Sequence, residues 1–197
     1  MLLRELTRNE LKALFDSRVY QDFHKEEIKP FDTTCALIDR GIYQCLGAFA
    51  GQELAAYAFV CRAGEGKVVL LDYYAVSGDM RGRGIGSTVI SMLKERFRGL
   101  DGMVCEVEAV RASRSEEDRR VRERRIAFYE RNGMHLAPLE CTLFGVEYSI
   151  MSLPCGRELD GTELYHELDQ IYRAMFPAEL YCHKVNLRTI DEPPLVE

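Results

Sequence analysis

No apolar run in this chain approaches the roughly 18 residues of a membrane-spanning helix; the longest uninterrupted one covers residues 54–61. Charge follows directly on Met1-Leu2-Leu3, so no secretion signal is expected. None of the seven cysteines, at 35, 45, 61, 105, 141, 155 and 182, belongs to a C-x-x-C pair or a zinc-ribbon spacing, and the histidines at 24, 135, 166 and 183 lack ligand spacing. No metal is expected. Cysteines scattered through apolar segments read as small core residues of a reduced, cytoplasmic protein. Basic excess is absent too: 26 Lys and Arg stand against 32 Asp and Glu, with a pI near 5.4. That argues against a general nucleic-acid or membrane-surface partner. Internal repeats and low-complexity tracts are lacking.

What is present is ordinary globular material. The 197 residues are 47% hydrophobic and 29% charged, enough to bury about 70% of the unfolded surface. Residues 156–197 hold 4 basic and 9 acidic side chains, so most of the net −6 lies there. Thr7-Arg8-Asn9-Glu10 reads as a capping box opening a helix, and a second short helix is expected over 33–39. Strands are expected over 43–50, 53–62 and 68–76. At residue 77 the period changes. A glycine-rich turn precedes Ile85, Val89, Leu93 and Phe97, which repeat every four residues and mark one face of a helix. A valine-rich strand over 103–110 follows, giving strand, turn, helix and strand. A helix over 116–132 is rich in arginine and stops at Asn132-Gly133. Two further strands, over 135–144 and 146–153, complete a domain of residues 1–153. Residues 154–197 are expected to form a C-terminal helical extension, with an apolar stripe of Leu164, Leu168, Ile171, Tyr172 and Met175, and a loose tail containing Pro193-Pro194.

Arg81-Gly82-Arg83-Gly84-Ile85-Gly86-Ser87 carries the chemistry. The first backbone N–H groups of a helix have no internal partner, and the helix dipole favours an anion there. Glycines let that anion approach, and Ser87 can add a hydroxyl donor. The stretch suits a pyrophosphate. It is not a P-loop, since no G-K-[ST] follows, and its spacing fails the dinucleotide fingerprint.

The order from strand 68–76 through Arg81-x-x-Gly84-x-Gly86 into an amphipathic helix resembles the acetyl-CoA signature of the GNAT superfamily of N-acetyltransferases. Phe128-Tyr129-Glu130-Arg131-Asn132-Gly133-Met134 resembles the family's second signature. Many members carry Asn seven residues before the helix tyrosine and Ala four residues before it; Arg122 and Arg125 stand there. Met134 replaces the aromatic after the glycine.

The resemblance implies an α/β fold with a mixed, mostly antiparallel twisted sheet of six to seven strands flanked by helices. It implies acetyl-CoA as acyl donor and a primary amine as acceptor, attacking directly in a ternary complex. Backbone groups near Tyr74 and Val76 would hold the pantetheine arm, and Arg81, Gly82, Arg83, Gly84, Ile85, Gly86 and Ser87 the pyrophosphate. Arg122 and Arg125 could reach the phosphates. Tyr129 occupies the family's acid position, ordinary packing being the alternative. For the base, Glu106 and Glu108 share one face of an otherwise apolar strand, with salt bridges to the arginine-rich helix as the alternative; Glu106 is preferred. Asp72, with Tyr73 and Tyr74, is a lesser candidate for shaping the acceptor site. The C-terminal helix could pack in cis, cover the acceptor site or form a homodimer seam. A binding module that keeps the cofactor pocket without transfer, and a nucleotide-binding adaptor, remain open at this point.

Overall fold

Each main element begins where the sequence supplies its boundary chemistry. The computed structural model describes residues 1–24 and 27–191. In chain order it contains β1 (Leu2–Glu5), α1 (Arg8–Leu14), a π-helical turn (Phe15–Val19) running into the short α2 (Tyr20–Asp22), α3 (Phe31–Asp39), β2 (Tyr43–Ala50), β3 (Glu53–Cys61), β4 (Val68–Val76), α4 (Ile85–Arg96), β5 (Gly102–Glu108), α5 (Glu116–Arg131), β6 (His135–Leu143), β7 (Val146–Pro154), α6 (Gly161–Met175), α7 (Ala178–Lys184) and β8 (Val185–Thr189).

The Thr7 hydroxyl accepts from the Glu10 N–H while the Glu10 carboxylate accepts from the Thr7 N–H, so the capping box forms. Asp160 and Glu163 repeat the device at α6. Ser115 caps α5, and Glu116, Glu117 and Asp118 place negative charge in its first turn, where the helix dipole favours it. Glycine in the left-handed region ends that helix at Gly133, φ +84°.

The strands follow the order β1-β2-β3-β4-β5-β7-β6-β8. β4 and β5 run parallel, Val68–Leu70 against Gly102–Val104. The ladders β1–β2, β2–β3, β5–β7, β6–β7 and β6–β8 are antiparallel. The sheet is therefore mixed and mostly antiparallel, with eight strands rather than six or seven. The two short outer strands, β1 and β8, were not expected. α7 and β8 show that the chain stays ordered well past α6; Pro193-Pro194 lies outside the described residues. No described helix is long and apolar enough to cross a membrane.

The chain divides into two compact units, one of Met1–Cys61 with Asp72–Met92, the other of Arg62–Leu71 with the chain from Leu93. The first unit has an aromatic core. Phe15 stacks on Phe59 at 6.1 Å between centroids, and Phe59 meets Tyr73 edge-on at 5.6 Å. In the second unit, α6 buries its predicted stripe of Leu164, Leu168, Ile171, Tyr172 and Met175 completely. It lies against β6 and β8. The C-terminal helix thus packs in cis.

Candidate active site

In the first unit, a tyrosine of β4 braces the glycine turn. Gly82 and Gly84 have φ of +76° and +77°, values costly for any residue with a Cβ. A Cβ built on either would meet nothing within 4 Å. Arg81, Gly82, Arg83, Gly84 and Ser87 are exposed, Ile85 and Gly86 half-buried. The Tyr74 hydroxyl, reaching from β4, donates to the Gly86 carbonyl at 2.8 Å, and the Thr88 hydroxyl to that of Gly84 at 3.2 Å. Both bonds engage carbonyls of the turn. The turn is exposed and the space around both glycines is open, which fits the approach of a diphosphate to the helix start. Arg81 folds back: its Nε donates to the Val76 carbonyl at 3.2 Å and its Nη2 lies 3.5 Å from Asp22. Asp22 also accepts from the Tyr57 hydroxyl at 3.0 Å and pairs with Arg18 at 3.3 Å. Sequence reading missed Arg18 and Asp22, which lie on either side of the end of the π-helical turn, a conformation without a sequence signature.

Asp72 is engaged too. Lys29 Nζ lies 2.8 Å from its carboxylate, and the Tyr43 hydroxyl donates to it. The Tyr73 hydroxyl accepts from the Lys29 N–H at 2.9 Å and donates to the Glu27 carbonyl at 2.6 Å. This pair of β4 residues pins the segment before α3.

In the second unit, Glu106 and Glu108 stand two apart on β5, yet their carboxylates have different partners. Glu108 accepts from Arg122 Nη2 at 3.2 Å and Arg125 Nη1 at 3.0 Å. Arg122, a buried residue of α5, also donates to Asp118 at 3.0 Å and to the Ala109 carbonyl at 2.7 Å. The two departures from the family pattern thus share one carboxylate, and the salt-bridged alternative describes Glu108. Glu106 turns instead toward α6, where the Tyr172 hydroxyl donates to Oε1 at 2.7 Å. Tyr172 was visible in the sequence only as part of an apolar stripe; a tyrosine there signals a buried hydroxyl in search of a partner.

Tyr129 is buried, its ring 5.2 Å from that of Phe128. Its hydroxyl lies within hydrogen-bond reach of the Cys105 thiol. Burial pushes that thiol up, the Glu106 charge adding to the effect, so Cys105 stays protonated and its Sγ lies 4.0 Å from the Met134 sulfur. Met134 therefore supplies a thioether acceptor at the family's aromatic position.

The sequence profile of the acetyltransferase (GNAT) family matches residues 9–134, and the chain belongs to this family. It is an acyltransferase, with acetyl-CoA as its acyl donor. Solved structures share the fold. A putative GNAT acetyltransferase from Bacteroides thetaiotaomicron is 18% identical, with a TM-score of 0.68 over 88% of this chain and 99% of its own. The ribosomal-protein-S18-alanine N-acetyltransferase of Escherichia coli is 19% identical, with a TM-score of 0.59 over 80% and 96%. The putative acetyltransferase yncA from Salmonella typhimurium, solved with its cofactor acetyl-CoA, is 16% identical, with a TM-score of 0.57 over 81% and 96%. No curated protein matches the sequence.

Proposed function

We propose that the protein is an N-acetyltransferase that moves the acetyl group of acetyl-CoA to a primary amine by direct attack in a ternary complex. The observation that carries this reading is the exposed turn at the head of α4, with two left-handed glycines and open space around both. The helix-start N–H groups and Ser87 bind the diphosphate; backbone groups of β4 near Tyr74 and Val76 hold the arm beyond it. Bound acetyl-CoA supplies an activated thioester.

An alkyl amine has a pKa near 10 and arrives mostly as ammonium. Glu106 removes its proton. The nitrogen then bonds to the acetyl carbon as the carbon–sulfur bond breaks, Tyr129 gives a proton to the departing sulfur, and the second proton that the nitrogen sheds on becoming an amide returns to the Tyr129 phenolate through solvent. General acid–base help of this kind contributes about 10²–10⁴-fold. Holding both reactants in line supplies roughly 7–11 kcal/mol more. Glu108, held by two guanidinium groups, is the weaker choice for the base; its part is to anchor α5, which carries Tyr129, to β5. Arg125, half exposed, retains the reach for a phosphate, whereas Arg122 is committed to three partners. Seven free cysteines favour a reducing compartment such as the cytoplasm.

Calorimetry with acetyl-CoA, followed by thiol release in the presence of spermidine, L-lysine and an alanine-initiated peptide, tests the proposal. Binding with amine-dependent thiol release is expected. Absence of binding at millimolar acetyl-CoA would sink the reading.

A further inference from the structure

Tyr172 has no part in the acid–base chemistry proposed above, yet it is built as though it should. Leu164, Leu168, Ile171 and Met175 share its stripe on α6, and Phe would fill the same space. Tyrosine alone carries a hydroxyl into a core position of 0% exposure. A hydroxyl so buried loses several hydrogen bonds to water unless the protein replaces them, and here the replacement is the Glu106 carboxylate, 66 residues earlier in the chain.

The surroundings fix the direction of that bond. Burial, reinforced by the Glu106 charge, pushes the Tyr172 phenol far up, so it remains a donor. Cys141 of β6 faces the same hydroxyl. Its thiol is pushed up to about 12, first by burial and then by the Glu106 charge, and it too keeps its proton. Register accounts for the meeting. Glu106 pairs with Ile150 of β7, and Cys141 pairs with Tyr148, two residues from Ile150. Glu106 and Cys141 therefore lie on one face of the sheet, the face that α6 covers. Thiol and phenol both keep their protons on the side of the sheet where Glu106 lies, and the phenol donates its own to the carboxylate.

We infer that Tyr172 is a positioning residue for Glu106: the C-terminal helix holds the carboxylate in one orientation and keeps it ionised. The inference rests on Glu106 being the base. Within the second unit the titratable groups on the Glu106 side include Tyr172 from α6 and Cys141 from β6, while Cys105, next along β5, points to the opposite face. A donor bound to the ionised form of a carboxyl lowers its pKa. Removing a hydrogen bond to a charged group should raise the midpoint by about one pH unit.

Carbon-13 NMR of protein labelled at the glutamate Cδ reads this without any acceptor, the Glu106 resonance being assigned by its loss in Glu106→Gln. In Tyr172→Phe the Glu106 midpoint should rise by about one unit, while acetyl-CoA affinity stays within about twofold. An unchanged midpoint overturns the inference. Should Tyr172→Phe not fold, the wild-type protein decides by the same NMR: the Glu106 midpoint should lie near or below the ordinary glutamate value of about 4.3, and a midpoint about two units or more above it overturns the inference. The turnover of Glu106→Gln is scored separately. A wild-type rate in that variant removes Glu106 as the base and leaves the NMR shift standing, so the two failures are told apart.

Discussion

Replacing Arg122 with alanine should separate an anchoring guanidinium from a phosphate-binding one. Its side chain is 7% exposed and meets Glu108, Asp118 and the Ala109 carbonyl. Truncation leaves Glu108, whose side chain is 17% exposed, with the half-exposed Arg125 beside it, and it removes one of the two donors to the Ala109 carbonyl, the other being the Ala112 N–H. Removing one member of a buried ion pair costs about 3–5 kcal/mol. In a protein of this size each kcal/mol moves the melting point by about 2–4 °C, so a fall of roughly 10 °C is expected by calorimetry. Arg125→Ala provides the contrast. That side chain is 47% exposed, exposed pairs contribute about 0–1 kcal/mol, and the melting point should move by no more than about 3 °C. An Arg122→Ala protein melting within about 2 °C of wild type, with acetyl-CoA affinity reduced tenfold or more, would refute the anchoring role and make this guanidinium a phosphate ligand.

Gly84→Glu brings a Cβ and a negative charge to a φ of +77°. Like charges about 4 Å apart repel by about 4 kcal/mol at an effective dielectric of 20, so acetyl-CoA affinity should fall at least about 100-fold by calorimetry. Gly99→Glu, exposed and outside the turn, should bind normally; equal affinities in the two variants contradict the diphosphate assignment. Tyr129→Phe should lower turnover about 100-fold with acetyl-CoA affinity retained, and unchanged turnover would return Tyr129 to ordinary packing. Glu10 is held down to about 2, chiefly by the Arg4 guanidinium and then by the Thr7 N–H. A carboxyl depressed in the folded state contributes stability above its unfolded pKa, near 4.3, and loses it as pH falls toward 2. Glu10→Gln should therefore be less stable than wild type at pH 7, with the gap in urea midpoints closing between pH 4 and pH 2. A gap independent of pH contradicts the ion-pair account.

Much of this fold was legible because period and punctuation agree. Strand β4 was read at its full extent, since nine residues with an apolar face end at a glycine turn. The start of α5 was read to the residue, with Ser115 capping it and acids filling its first turn. The short outer strand β8 was not read. Only Leu187 of its five residues is buried, so there is no alternation to detect, and its pairing to β6 is what makes it a strand. The site divides the same way. A glycine turn is a local object, and its chemistry can be read from seven consecutive residues. Carboxylate partners are not local. Glu106 and Glu108 look equivalent on the strand, and only the packing of α6 gives one a phenol while α5 gives the other two guanidinium groups. The stripe containing Tyr172 was seen as apolar because hydrophobic periodicity has no place for a single hydroxyl.

The most direct measurement of the acetyl-transfer account is the paired mass-spectrometric and thiol assay of wild type and Glu106→Gln with acetyl-CoA and the three amines. Wild type should yield acetylated amine and free CoA thiol in equal amounts. Glu106→Gln should bind acetyl-CoA as tightly but transfer at least about 100-fold more slowly. Wild-type enzyme that releases thiol without acetylating an amine, or a Glu106→Gln variant that transfers at the wild-type rate, would contradict it.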